Sequence, residues 1–116
     1  MTLPNFAFFK GSIVPYSEAR IGVLTHTLNY GTGVFGGLRA YWNAAGEQLF
    51  LFRPMDHYRR LIDSARLLLM DLPYSAAELA HWTVELLRTE NLRTDCYIRP
   101  ICYYGDEVIG VRLHGL

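Results

Sequence analysis

Lysine is almost missing from this chain. Eleven basic side chains balance eleven acidic ones, yet ten of the basic set are arginine and only Lys10 is lysine. Covalent attachment of an aldehyde cofactor needs a lysine amine, so the sequence offers a single place for it. Net charge is absent too: the formal balance is zero, which gives no electrostatic case for nucleic acid or an anionic membrane. No apolar run approaches the ~18 residues of a membrane span. The start MTLPNFAFFKG lacks the charged and apolar regions of a secretion signal. Cysteine is scarce. Cys96 and Cys102 share one apolar stretch without metal-ligand spacing, and on a strand they would lie about 20 Å apart, too far for a bridge. Two free thiols point to a reducing cytoplasm. His26, His57, His81 and His114 are scattered, with no helical pairing and no cysteine partner. Metal is therefore unsupported, and each reads as a surface or satisfied histidine.

What is present is enough for one folded domain. At 116 residues and 51% apolar, such a chain buries roughly two-thirds of its unfolded surface without disulfides or metal. Phe6 to Phe9 and Ser12 to Val14, around Gly11, read as a hairpin. Thr25 to Tyr30 reads as one or two helical turns stopping at Gly31. Phe35 to Trp42 and Gln48 to Phe52 read as strands joined by a turn over Asn43 to Gly46. Pro54 suits a first helical position, and Met55, Tyr58, Leu61, Ile62, Ala65, Leu68 and Leu69 recur at helical steps. Ser75 and Glu78 have capping-box spacing, with Tyr74 and Leu79 placed as its hydrophobic staple. Leu79, Trp82, Leu86 and Leu87 continue that helix. Tyr97 to Tyr104 and Val108 to Leu113 read as a closing hairpin around Gly105-Asp106. The order predicts an α+β domain over 1–116, with two helices packed on a mainly antiparallel sheet. The final residues stay apolar, an ending that looks like a cut.

Three stretches could carry chemistry. In Tyr97-Ile98-Arg99-Pro100 the period of a strand puts Tyr97 and Arg99 on one face. A guanidinium fork matches a carboxylate bidentately, and a neighbouring phenol can add a hydrogen bond. Spacing alone favours a plainer reading, an arginine stacked on tyrosine at a sheet surface. The run Asn29-Tyr30-Gly31-Thr32-Gly33-Val34-Phe35-Gly36-Gly37 could cradle an anion. It matches neither nucleotide-binding glycine fingerprint, so a tight turn bringing Tyr30 and Phe35 to one pocket fits better. Of Arg59 and Arg60, one must sit near the edge of a buried helix face. There it could meet a phosphate, although snorkelling arginines at the surface are the commoner case.

Together these segments resemble the fold-type-IV pyridoxal-phosphate enzymes, above all the branched-chain aminotransferases. The resemblance rests on GSIVP with EARI, THTLNYGTGVFGGLRAY, LFRPMDHYRRLIDSARLL and YIRPICYYGDEVIGV. They stand in the family's order and spacing over nearly the whole chain. It implies a small N-terminal domain that packs on a larger one, with pyridoxal 5'-phosphate between them. It implies that Arg60 contacts the cofactor phosphate, and that Phe35, Tyr97 and Arg99 line the substrate pocket. Arg99 would reach a substrate carboxylate, while Tyr30 and Val111 would complete the partner subunit's site in a homodimer or larger homo-oligomer. Gly36 departs from the family, where glutamate is common, and puts the substrate preference in doubt. Lys10 does not match the family's cofactor-bonding lysine, which belongs to the domain not represented here.

The resemblance thus implies amino-group transfer between a branched-chain amino acid and 2-oxoglutarate, in the cytoplasm, with this chain inactive alone. Two rivals stand beside it. One is a D-amino-acid or R-selective amine transaminase, or an aminodeoxychorismate lyase, of the same fold. The other is a non-catalytic ligand-binding or dimerisation domain, which the shortage of lysine would fit.

Overall fold

Lys10 and Gly11 both take positive φ, 51° and 92°, the backbone a two-residue hairpin turn requires. They fold β1 (Phe6–Phe9) onto β2 (Ser12–Pro15) in antiparallel register. The computed structural model describes residues 3–106. After a 3-10 turn at Tyr16–Glu18 come α1 (His26–Tyr30), β3 (Gly33–Phe35), β4 (Leu38–Asn43) and β5 (Gln48–Leu51). Then follow α2 (Pro54–Leu67), α3 (Ala76–Glu90), β6 (Cys96–Ile98) and β7 (Ile101–Tyr103). Among the described residues every strand pairing is antiparallel. The expected α+β class is borne out, with the short α1 beside the two longer helices.

Two expected strands are each broken in two. Phe35 to Trp42 is interrupted at Gly36-Gly37, and Tyr97 to Tyr104 at Arg99-Pro100. The breaks coincide because the segments are partners: β3 pairs with β7 and β4 with β6 in one continuous register. Gly36 therefore lies opposite Pro100 and donates its N–H to the Pro100 carbonyl at 3.0 Å. The returning bond is missing because proline has no N–H. β6 and β7 thus pair with β4 and β3. The expected strand at Val108 to Leu113 lies outside the described residues.

The ribbon has two unlike faces. Val34, Leu38, Ala40, Ile98 and Cys102 turn inward, while Phe35, Arg39, Tyr97, Arg99 and Ile101 face out and are exposed. Leu38 packs with Tyr58 and Leu61 of α2 and Ala76 of α3, forming the core. A second cluster joins Ala65, Met70 and Tyr104. Burying a leucine of this kind contributes roughly 1.5–3 kcal/mol. The Tyr58 hydroxyl meets Thr83 and so ties α2 to α3, and Tyr104 donates to the Leu68 carbonyl.

The expected helix starts hold, but Leu69, expected on the apolar face of α2, lies past its end, takes φ 61° and is 74% exposed. Pro54 opens α2, and the Ser75–Glu78 capping box closes with both bonds at 3.1 Å. Tyr74 also has a tertiary role: its ring meets Phe8 edge-on, and Phe8 in turn packs on Trp82 of α3. Glu90 at the end of α3 accepts the Asn5 and Phe6 amides at 2.6 and 2.5 Å. These contacts dock the first hairpin on the helix layer. Among the described residues no helix is long and apolar enough to cross a membrane.

Candidate substrate-binding site

The outward face of the ribbon carries the candidate site. Tyr97, in β6, and Arg99, just past it, share that face because the register runs on through the break. Arg99 Nε donates to the Tyr97 hydroxyl at 3.3 Å. Its guanidinium carbon sits 4.8 Å from the Phe35 ring centroid and 5.5 Å from that of Tyr97. Among the described residues Arg99 has no carboxylate partner. A cation held between two aromatic rings with most of its donors unused is suited to an incoming carboxylate.

Beside it lies a shallow cavity of about 250 Å³, lined by Thr27, Gly31, Gly33, Val34, Phe35, Arg99 and Ile101. The expected tight turn is the wall of this cavity. Gly31 takes φ 68° as the left-handed cap of α1, a conformation glycine adopts freely. Gly33 has no room for a side chain, since a Cβ would stand 2.7 Å from Thr27 Oγ1. The structure thus brings Phe35, Tyr97 and Arg99 together, but Tyr30, expected in one pocket with Phe35, does not line this cavity and packs its ring on His26 instead. Val111 lies outside the described residues.

Arg60 is not among the residues lining this cavity. Arg59 and Arg60 are both exposed, so neither marks the edge of the buried helix face as expected. They differ in pairing: Arg59 reaches Asp56 at 3.7 Å, whereas Arg60 lies 3.3 Å from the ring nitrogen of His57 and has no carboxylate partner among the described residues. Of the two, Arg60 has its charge available for an anion.

His26, expected as a surface or satisfied histidine, is not at the surface. It is fully buried; Nδ1 meets Thr32 Oγ1 at 2.7 Å, and Nε2 has no partner among the described residues. Its ring packs on Tyr30 with centroids 4.6 Å apart, a contact across one helical turn. That spacing was legible in the sequence as a ring pair, without any hint of burial. No group of three or more His, Cys, Asp or Glu could hold a metal among the described residues. Cys96 and Cys102 are free, and burial pushes both thiols up from the ordinary range, helped at Cys96 by the Asp95 charge. Neither is set up as a nucleophile.

No protein-family model matches the sequence. Individual proteins do. Over 102 residues the chain is 51% identical to a probable branched-chain-amino-acid aminotransferase of Aquifex aeolicus, covering 88% of this chain and 33% of that protein. The branched-chain aminotransferase of the archaeon Thermoproteus uzoniensis, solved with norvaline, superposes with a TM-score of 0.90 at 42% identity, over 97% of this chain and 37% of the other. The branched-chain amino acid aminotransferase of Thermobaculum terrenum, solved in its PLP-bound holo-form, superposes at 0.80 and 34% identity, over 86% of this chain and 33% of the other. The chain spans about a third of the length of the relatives it matches. It is homologous to the N-terminal part of these fold-type-IV enzymes.

Proposed function

We propose that these residues form the N-terminal, substrate-side part of a pyridoxal-phosphate-dependent branched-chain aminotransferase that uses 2-oxoglutarate as amino acceptor. The observation that carries this reading is Arg99, bonded to Tyr97, flanked by Phe35 and unpaired with any carboxylate among the described residues. A dicarboxylate has a second carboxylate to place there, while the apolar rings beside it suit a branched side chain. One patch thus serves both substrates of the exchange. Ile101 extends its apolar wall.

In the complete enzyme the cofactor supplies the electron sink, and this part supplies orientation. Arg60, exposed and without an acidic partner among the described residues, has the charge and planar donors to hold a phosphate. Tyr30 and Val111 are proposed to complete the neighbouring subunit's site in a homodimer, and the cytoplasm is the proposed compartment. These 116 residues alone are proposed to be inactive, since the lysine they hold sits in the first hairpin.

The test is steady-state transamination by the full-length protein with pyridoxal phosphate, leucine and 2-oxoglutarate. Arg99→Ala should weaken use of 2-oxoglutarate by roughly 2–4 kcal/mol, as expected for a lost charge-assisted pair. Leucine should suffer much less. Equal losses for both substrates, or no turnover by the unaltered enzyme, would remove the reading.

A further inference from the structure

α1 is five residues long, far below the length at which a helix holds its own shape in water. Yet α1 and the turn after it supply Thr27, Gly31 and Gly33 to the cavity wall. Something outside the helix must fix them. Two backbone bonds do part of this: His26 N–H donates to the Asp106 carbonyl at 2.7 Å, and Thr27 N–H to that of Tyr104 at 3.2 Å. They anchor the first turn of α1, and Asn29 ties its last turn back by donating through Nδ2 to the Val23 carbonyl at 2.9 Å and the Thr25 carbonyl at 3.1 Å.

The His26 side chain links α1 to the turn that follows it. Its Nδ1 spans from the start of α1 to Thr32, between the two wall glycines, at 2.7 Å. One face packs on Tyr30 and the Tyr104 ring meets it edge-on, centroids 6.2 Å apart. The Thr32 carbonyl in turn accepts the Tyr104 N–H at 3.1 Å. Nε2 is buried, without a partner among the described residues. Were this position mere filling, phenylalanine would serve better. What phenylalanine lacks is the bond to Thr32.

Resting on the aminotransferase reading, we propose that His26 is a positioning residue: its bond to Thr32 and its packing on Tyr30 fix the α1 side of the cavity that Arg99 lines. Gly33 transmits the placement, because its lack of a side chain brings Thr27 Oγ1 within what would be 2.7 Å of a Cβ, and the Cys102 carbonyl of β7 within 3.1 Å. A helix that tilts by a fraction of an ångström therefore moves the strand.

The test uses the full-length protein with pyridoxal phosphate and four variants: Thr32→Val, His26→Phe, His26→Asn and the double variant of the first two. Affinity for glutarate, a dicarboxylate that cannot be transaminated, is read by calorimetry, and KM for 2-oxoglutarate and kcat by turnover. Thr32→Val and His26→Phe should each weaken glutarate and raise KM by on the order of tenfold, the scale of one lost positioning bond, with kcat changed less. The double variant should be no worse than either single one, since both remove the same bond. His26→Asn, which keeps a group able to meet Thr32, should recover part of the loss. Thr32→Val removes only one hydroxyl, so the question stands even where His26→Phe does not fold. Unchanged glutarate affinity in Thr32→Val, additive losses in the double variant, or no glutarate binding by the unaltered protein would overturn the proposal. Glutarate binding with the expected pattern but no turnover would sustain it while removing the aminotransferase reading.

Discussion

A Cβ on Gly37 would stand 2.7 Å from the Tyr97 hydroxyl and 2.9 Å from its ring edge. The phenol therefore lies in space that any other residue at 37 would occupy. Tyr97 is diagonal to Gly37 across the β4–β6 pairing, close enough for a large ring to lean over it. From there its hydroxyl receives the Arg99 Nε–H. Gly36 is different: a Cβ there would meet Pro100 and Leu61 at the ordinary distances of 3.6 and 3.8 Å.

Adjacent glycines should then respond oppositely to one methyl group. Gly37→Ala is expected to displace Tyr97, lower stability by about 1–3 kcal/mol as overpacking does, and weaken dicarboxylate binding. Gly36→Ala should be neutral or gain up to about 1 kcal/mol by restricting the unfolded chain. Urea titrations of both variants in the full-length protein decide this, with glutarate affinity as the second measurement. Similar behaviour of the two would mean the ring is free to move.

Alkali should weaken the union of α2 and α3 through Tyr58. Burial pushes the Tyr58 hydroxyl up, the largest influence, while its bond to Thr83 pulls the other way. A folded-state value above the unfolded one means that stability is fully present below the unfolded range and lost as pH rises through the folded one. Tyr58→Phe should flatten that alkaline decline, at about 1 kcal/mol of stability lost near neutrality with the Thr83 bond. Denaturant midpoints measured from neutrality into the alkaline range, set beside the variant's, provide the check; parallel curves would contradict it.

The 116-residue chain should not attach pyridoxal phosphate at a specific lysine. Lys10 lies in the first hairpin turn with its ammonium 5.1 Å from the Phe9 ring, and it is not among the residues lining the cavity. Borohydride trapping followed by peptide mapping should yield slow, scattered labelling. Stoichiometric labelling at Lys10 with turnover would reverse the claim.

The same chain should self-associate. Leu28, Phe35 and Ile101 are each at least 60% exposed, and Tyr30 and Tyr97 are also open. These residues belong to α1 and the outward face of the ribbon, where apolar patches beyond a few hundred Å² usually mark an interface. Sedimentation over a concentration series should show dimers or larger species; a strict monomer at roughly hundred-micromolar concentration, with no dye binding, would count against it.

Much of this was legible in the sequence, for local reasons. Ser75 with Glu78, Pro54, and Gly31 after Tyr30 announce helix ends through bonds a few residues long. The alternation around Leu38 and Ile98 announces a two-faced strand. The break in the ribbon was not legible, because Gly36-Gly37 and Arg99-Pro100 are interpretable only once paired across the two long helices that separate them in the chain. Burial of His26 was hidden because part of its cover, Tyr104, comes from the far end of the described residues, beyond both long helices. Tyr74 was assigned a local role as a staple, and tertiary packing gave it Phe8 as a neighbour.

The shared register of the ribbon also governs which changes of length the molecule can survive. Side chains alternate between faces with a period of two, so inserting or deleting one residue between Gly33 and Ala40 would exchange the two sets beyond that point. Leu38 and Ala40 would turn to solvent, and Arg39 would be driven against α2. Core and cavity would fail together, because they are opposite sides of one strand pair. The turn at Asn43 to Gly46 joins strands without serving the cavity, so an added residue there would alter only the link between β4 and β5. Lineages and libraries should therefore vary in length at that turn and keep a constant count across the double glycine.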